Sequence, residues 1–587
     1  MGSFCGWSGV HTGTDTPQQT INLMLDQCRG NATTECTTDC GERGAVGVCH
    51  GLYRTSHYHG DGIRAVITGS PAWDDPAIAE TAAQHGDAAA LARAYRDHGK
   101  GLLPRLHGPF ALALLDGDSA LAAIDRIGIH SLSYALGDGV FVFSTSTGSV
   151  VRHPGVSREI DPQAIFNYIY FYDIPSPGTV YRNVEKLLPA QYIHYRNGAL
   201  EKNFYWQLNY DESNRTSFQS RRRELHETLK QCVASSASDG PVATFLSGGT
   251  DSSTVTGFLA GLQDDPVDTY SIGFSADGFD EMQYARLAVK RFAASAHEYY
   301  LKPDDVLDAI PLIAGTYDEP FANESAVPTY FCARQAASDG IRVMLAGDGG
   351  DEIFGGNERY AKQLVFEHYG RVPRILRKGL VEPLAGGFPG GDAIMPVRKL
   401  RSYIRQASIP LPERMESYNF IYRQPLEEMF HPDFIATVDP DIPAAMLRDA
   451  YTRADTDNTV NRMLHLDMKF TLADNDLRKV SRMCEAAGIE VRYPLLDEAL
   501  VDFSCRLPVH YKVRGRRLRW FFKEALKDFL PRENITKSKH GFGLPFGIWA
   551  MTHEPLRELV DETLEKFTDR GYLQQSYIRN IRNQHAS

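Results

Sequence analysis

The run PVATFLSGGTDSSTVTGFLAGLQ, residues 241–263, constrains the fold more than any other stretch. A short apolar segment of strand type ends in Ser247, Gly248 and Gly249, and a helical segment follows at once. The alternation then recurs: VDTYSIGF, a helical run, AHEYYL, a second helical stretch and IRVMLAG. Strands alternating with helices of this size predict right-handed βαβ units and a parallel sheet. In such sheets ligands gather beyond the carboxyl ends of the strands. Two loops, SGGTDSS and GDGGDE, fall there in this reading.

The chain has a different texture on either side of this region. Up to about residue 205, short β-type runs such as GPFALALLDG, GVFVFST and AQYIHYRNG are separated by Gly, Asp and Asn turns. They predict layered antiparallel sheets, with one helix in DAAALARAYRDHGKGLLPRL. The polar, aperiodic stretch 206–220 reads as a linker, so 1–205 and 221–587 are the expected domains. Beyond about residue 370 the pattern becomes helical and extends outward from the parallel core.

A net charge of -12 and a pI near 5.9 argue against a nucleic-acid-binding surface. No run approaches the ~18 apolar residues of a membrane span. The opening MGSFCGWSGVHTGTDTP lacks the basic and apolar regions of a secretory signal. Together these predict a cytoplasmic chain with neither nucleic acid nor membrane as partner. Nine cysteines, an odd number, do not read as a disulfide framework. Four cluster, Cys28, Cys36, Cys40 and Cys49, close to His50, His57 and His59, but without the paired spacing of a zinc knuckle. They read as ordinary reduced thiols.

In FLSGGTDSST, residues 245–254, the glycines let backbone amides turn inward, and Ser252 and Ser253 add hydroxyls at a helix N-terminus. That is an anion cradle suited to phosphate. No lysine follows the glycines, so it is not of the Walker type. Asp251 inside the cradle makes sense where a divalent cation bridges carboxylate and phosphates. The plainer alternative is a Gly-Ser turn with a helix cap. In AGDGGDEIFGG, Asp348, Asp351 and Glu352 crowd together and call for a cation, a basic role, or both.

S-G-G-x-D-S resembles the PP-loop of the ATP-pyrophosphatases, which split ATP into AMP and pyrophosphate. DEPFANESAVPTY (318–330), GDGGDEIFGG (347–356), EVRYPLLD (490–497) and KSKHGFGLPFGIW (537–549) narrow the likeness to the synthetase domain of asparagine synthetase-like enzymes. The resemblance implies an α/β chain: an N-terminal nucleophile-type αββα sandwich, then a parallel PP-loop domain with a helical C-terminal extension. It implies ATP and Mg2+. Ser247, Gly248, Gly249, Asp251, Ser252 and Ser253 fall where the family holds pyrophosphate. Leu246, Ile272, Ala346 and Gly347 fall at its adenosine contacts, and Asp251 and Asp351 at its magnesium positions. Asp348 matches an acid/base position and Lys539 the catalytic lysine, with Lys537 a solvated neighbour and Glu352 a supporting residue. Arg478, Lys479, Glu490 and Arg492 either line the substrate pocket or form surface ion pairs.

The front of the chain departs from the family. Glutamine-using members expose a cysteine as residue one, whose own α-amine serves as base. Here Cys5 is the candidate, and removing Met1 would expose Gly2 instead. TGSPAW stands where the family has Asn-Gly-Glu, so Thr68 and Ser70 replace the amide and the acid. GDAAA stands for Ser-Asp-Thr-Glu and keeps only Asp87. The expectation is a retained fold without glutamine hydrolysis. Two branches of the family take acid and amine from one molecule, the beta-lactam synthetases and the lasso-peptide cyclases. The former carry tyrosine at position 348, so GDGGDE favours the latter.

The expected activity is therefore ATP- and Mg-dependent adenylation of an Asp or Glu side chain in a ribosomal precursor peptide, then macrolactam formation with its N-terminal amine. A leader peptidase and a leader-binding protein are the expected partners. The alternatives are an asparagine synthetase or amidotransferase using ammonia or glutamine, a beta-lactam-forming cyclase, and a non-catalytic nucleotide-binding scaffold.

Overall fold

The computed structural model describes all residues except 1, 11–14, 30–33, 138, 214–215, 238–239, 277, 371, 378–394, 538–542 and 587. In the N-terminal half two six-stranded antiparallel sheets lie face to face. Strand β1 (Ser3–Ser8) is central in the first, paired with Val140–Ser144 on one side and Gly44–Cys49 on the other. The second sheet is built on Phe110–Asp116 and Ser119–Ile124. Alternation puts Phe4, Val46, Phe141 and Phe143 between the sheets, against Ala111, Ala113 and Ile193.

Helix Asp87–His98, within the predicted helical segment, packs on the outer face of the second sheet. Helix Pro17–Asp26 covers the first sheet in the same way. This second helix was not expected, although Thr16 and Gln19 form a capping box at its start. The result is the αββα sandwich.

The structure corrects the reading of the cysteines. Cys36 and Cys49 stand directly opposite on neighbouring strands, with Cα atoms 4.1 Å apart, and are joined as a disulfide. The hairpin register brings them together across the turn at 42–43, a pairing that the spacing alone did not reveal. Among the described residues, no group of three or more His, Cys, Asp or Glu could hold a metal ion.

The second half contains a five-stranded parallel sheet. Its strands are β2 (Val242–Phe245), β3 (Asp268–Phe274), β4 (Ser295–Leu301), β5 (Val343–Leu345) and β6 (Glu490–Arg492), in the spatial order β4-β3-β2-β5-β6. Its helices include α1 (Thr250–Ala260), α2 (Met282–Phe292), α3 (Ala326–Ser338), α4 (Gly350–Phe354), α5 (Leu477–Ala487) and α6 (Trp520–Ala525). The strand order reverses between β2 and β5, which pair in parallel from Val242↔Val343 to Thr244↔Leu345. A crevice opens beyond the carboxyl ends of strands at such a reversal. Among the described residues, no helix is long and apolar enough to cross a membrane.

The start of the stretch expected to be a linker is packed, while most of its later described residues are exposed. Leu208 is buried, and Trp206 lies between the Arg126 guanidinium and the Lys469 ammonium, 5.6 and 5.1 Å from its ring. The two halves also share buried ion clusters. Glu319 accepts from Lys186 at 2.9 Å and from Arg478 at 3.0 Å, and Glu498 accepts from Arg126 at 2.6 Å. Burial alone would raise the Glu319 carboxyl, but the two cations outweigh it and hold its pKa below the usual value.

Candidate functional site

The loop after β2 and the loop after β5 face each other across the strand reversal and line one cavity of about 440 Å3. Gly248 takes φ +71°, and a Cβ there would lie 2.4 Å from backbone atoms of Tyr284 and Ala285, so only glycine fits. The Ser247 hydroxyl lies 3.1 Å from that of Ser252 and accepts from the Gly249 amide at 3.3 Å. Gly249 and Asp251 sit at the start of α1, where the first backbone N–H groups lack intrahelical acceptors and suit an anion. Gly347 brings the second loop against the first: a Cβ on it would meet the Ser252 amide nitrogen at 2.7 Å.

Most of the predicted phosphate and adenosine positions converge here. Leu246, Ser247, Gly249, Asp251, Ser252, Ile272 and Gly347 line the cavity. Ser253 is instead turned away, with its hydroxyl accepting from Asn534 Nδ2 at 3.2 Å. Ala346 is buried beneath the floor, where its amide donates to Arg492. Lys539 lies outside the described residues.

Lys537 is not solvated as expected. It sits at the cavity edge, bonded to Glu281 at 2.8 Å and donating to the Ser247 carbonyl at 3.3 Å. Glu490 and Arg492 pair with each other at 2.6 Å, and Arg478 is spent on Glu319, so none of the three lines the cavity. Lys479 does.

Asn534 had no sequence signal. Its buried amide nitrogen donates to the Gly248 carbonyl at 2.9 Å and the Tyr284 carbonyl at 3.0 Å, besides Ser253. One side chain thus fastens the phosphate loop to α1 and α2.

Asp348 projects from the second loop beside Asp476 and Lys479, and all three line the cavity. Lys479 Nζ donates to Asp476 at 3.3 Å. Burial works against the lysine's charge, but Asp476 and Asp348 outweigh it and raise its pKa. Asp348 is pushed up to about 6, chiefly by burial, with Lys479 pulling it down and Asp476 and Asp251 pushing it up. A carboxylate that titrates near neutrality, beside a fixed ammonium, is fit to accept and pass on a proton.

Asp251 and Asp351 meet at the cavity floor, where Arg519 pairs with both. The fit to Mg2+ can be judged from this donor set. Two hard carboxylates converge on one point that already holds a positive group, next to a phosphate-type cradle. Mg2+ is commonly held by one or two carboxylates together with substrate phosphates. These residues fit that ion.

Helix α5 is a shared wall. Lys479 and Val480 face the cavity just described, while Arg478, Ser481, Arg482 and Glu485 face a polar cavity of about 80 Å3 at the N-terminal sandwich. Gly2, Ser3 and Thr68 close its far side. Cys5 lies elsewhere, fully buried with Trp7, Ile21 and Met24 under helix Pro17–Asp26. Burial pushes its thiol well up, and Cys28 adds to the effect. Two further motif positions, Thr68 and Asp87, are occupied: Thr68 donates to the Gly2 carbonyl at 3.0 Å, and Asp87 holds Arg54 at 3.0 Å and Trp73 Nε1 at 3.3 Å.

Residues 224–587 match the asparagine synthase family model, and residues 77–206 match that of the glutamine amidotransferase domain. Similar proteins include glutamine-hydrolysing asparagine synthetase 1 of Bacillus subtilis, 25% identical over 511 residues, 85% of this chain and 77% of the relative. A putative glutamine-hydrolysing asparagine synthetase of Mycobacterium bovis is 28% identical over 491 residues, 81% and 72% of the two chains. A second putative synthetase, from Methanocaldococcus jannaschii, is 30% identical over 303 residues, 50% and 58%. With one family model spanning most of the chain and the cavity built from the matched half, the chain belongs to the asparagine synthase family and is an ATP-dependent carbon–nitrogen ligase of the asparagine synthetase type.

Proposed function

We propose that this ligase joins a carboxylate and an amine carried by one substrate, a ribosomal precursor peptide. It adenylates an Asp or Glu side chain, closes a macrolactam with the N-terminal amine, and releases AMP and pyrophosphate. The observation that carries the reading is the position of Cys5. It lies inside β1 with its nitrogen in a peptide bond, and Ser3 and Phe4 before it are buried ladder residues paired with Cys49 and Val48. Trimming the chain to Cys5 would strip two ladder positions from a central strand, so the thiol has no α-amine to act as its base. An amine from another source is then required.

In this scheme the carboxylate attacks the α-phosphorus of ATP, and pyrophosphate departs within the cradle of Ser247, Gly249 and Ser252. Asp251 and Asp351 would hold Mg2+, which when bound neutralises the departing charge. Asp348 takes the proton that the amine loses on attacking the acyl carbon, and Lys479 stabilises the ionised form of Asp348. Lys539 is assigned the charge developing on the acyl oxygen. Positioning contributes most, because the two reacting ends must meet before the activated acid is lost to water.

The test is incubation with ATP, Mg2+, nitrogen-labelled glutamine and a peptide bearing a free N-terminus and an internal Asp or Glu. The expected product is the peptide less one water, unlabelled, with one AMP per ring. Label in the product would refute the reading. A second reading is favoured by the relatives' names, which are those of glutamine-hydrolysing asparagine synthetases: an asparagine synthetase or amidotransferase using glutamine or ammonia. It predicts AMP formation that depends on aspartate and on glutamine or ammonium.

A further inference from the structure

Asp251 and Asp351 lie close together on the cavity floor, both paired with Arg519. A Cβ on Gly350 would come within 2.6 Å of the Asp251 carboxyl carbon, and one on Gly356 within 1.6 Å of Asp351 Oδ1. Each carboxylate is thus seated against glycine backbone. Two adjacent anions in a largely enclosed floor repel strongly unless a positive charge stands between them.

Arg519 supplies that charge. It follows the short hairpin Val513–Arg514/Arg517–Leu518 and caps the start of α6 with a left-handed backbone, φ +50° and ψ +37°. Bulky residues rarely adopt this conformation, and where they do the surroundings impose it. Its amide is tied to the Gly355 carbonyl at 3.1 Å. The turn carries the guanidinium inward to both acids.

Both carboxylates meet the same nitrogen, Nη1, with Asp351 Oδ1 at 3.0 Å, while Nε is buried without a hydrogen-bond partner. A fork-to-fork pair would use two parallel bonds to one carboxylate and hold more firmly. A divalent ion would need the same oxygens at about 2.0–2.1 Å. Ion and Nη1 therefore cannot occupy that point together.

We infer that Arg519 is a built-in counter-cation of the metal site, standing between Asp251 and Asp351 in the ligand-free protein and displaced when a divalent ion enters. The inference rests on reading those two carboxylates as metal ligands. It makes metal entry without nucleotide a competition against the protein's own cation, so the site fills well only when nucleotide phosphates add donors.

Mn2+ alone, without nucleotide, is the probe, with binding followed by the loss of its free paramagnetic signal. Arg519→Gln is expected to bind Mn2+ at least tenfold more tightly than the wild type. It should melt lower than the wild type in chelator and recover with Mn2+. Arg519→Lys keeps the charge and is expected to fold in chelator and bind Mn2+ within threefold of the wild type. A folded Arg519→Gln with unchanged Mn2+ affinity would overturn the inference, and so would a tenfold gain in Arg519→Lys. If wild type with ATP and both variants all fail to bind Mn2+, the metal reading falls and this inference with it. If wild type binds Mn2+ with ATP but Arg519→Gln shows no gain without it, only the counter-cation role falls.

Discussion

Asn534→Ala tests whether the phosphate loop is held open by one buried amide. Asn534 is 1% exposed, and its two N–H protons serve three acceptors, the carbonyls of Gly248 and Tyr284 and the Ser253 hydroxyl. Two full bonds are the most that two protons can make, and the Tyr284 carbonyl also has an intrahelical N–H donor within α2, so the Gly248 carbonyl is the one left most in need. Leaving a buried carbonyl unsatisfied costs about 1–3 kcal/mol. Gly248 lies at the turn of the cradle, so much of that loss should appear as a loop no longer shaped for phosphate. With about 1.4 kcal/mol per tenfold, the KM for ATP in ATP–pyrophosphate exchange should rise roughly 10- to 100-fold. The maximal rate should change less, because Asn534 touches no reacting atom. Denaturant unfolding should show the remaining loss. Asn534→Asp should be worse, since it sets an anion against two carbonyl oxygens. If Asn534→Ala keeps its KM for ATP within threefold and its stability within about 0.5 kcal/mol, the clamp is not what shapes the cradle.

Asp348→Asn should abolish amide formation, measured as product by mass, while ATP binds within a few-fold of normal. In the wild type, Asp348 must be ionised to accept a proton, and its pKa stands at about 6. The ligation rate should therefore climb as pH rises through about 6 and level off above it, and a flat profile from 5 to 8 would remove it as base. Cys5→Ala should leave ligation unchanged while costing about 1–2 kcal/mol of stability from a fully buried position, read by chemical denaturation. Gly356→Ala should lose most activity, because its methyl would overlap the Asp351 carboxylate. A fully active variant would show that Asp351 is free to move.

Helix α5 shows how far apart neighbouring residues can be in role. Arg478 and Lys479 are adjacent in sequence and equally charged, yet the first is consumed by the interdomain Glu319 and the second faces Asp348. A helix turns about 100° per residue, so adjacent residues face different neighbours. Reading charge along the chain cannot separate them. The same limit hid Asn534, which is 287 positions from Ser247 and carries no local motif. It likewise hid Arg519, whose left-handed backbone is imposed by its neighbours.

What was legible without coordinates follows from short-range physics. Strand, glycine turn and helix around 241–263 predicted a parallel sheet and the end of it where the cavity lies, because backbone sterics and hydrophobic period act over a few residues. The same locality made SGGTDSS and GDGGDE recognisable as two halves of one site. Their meeting across β2 and β5 needed the strand order, which depends on which distant segments bury one another's apolar faces. So did the Cys36–Cys49 pair, the confinement of Cys5 beneath a helix, and the single guanidinium between two carboxylates. Charges and thiols acquire their roles from partners far along the chain, and only the packed structure chooses those partners.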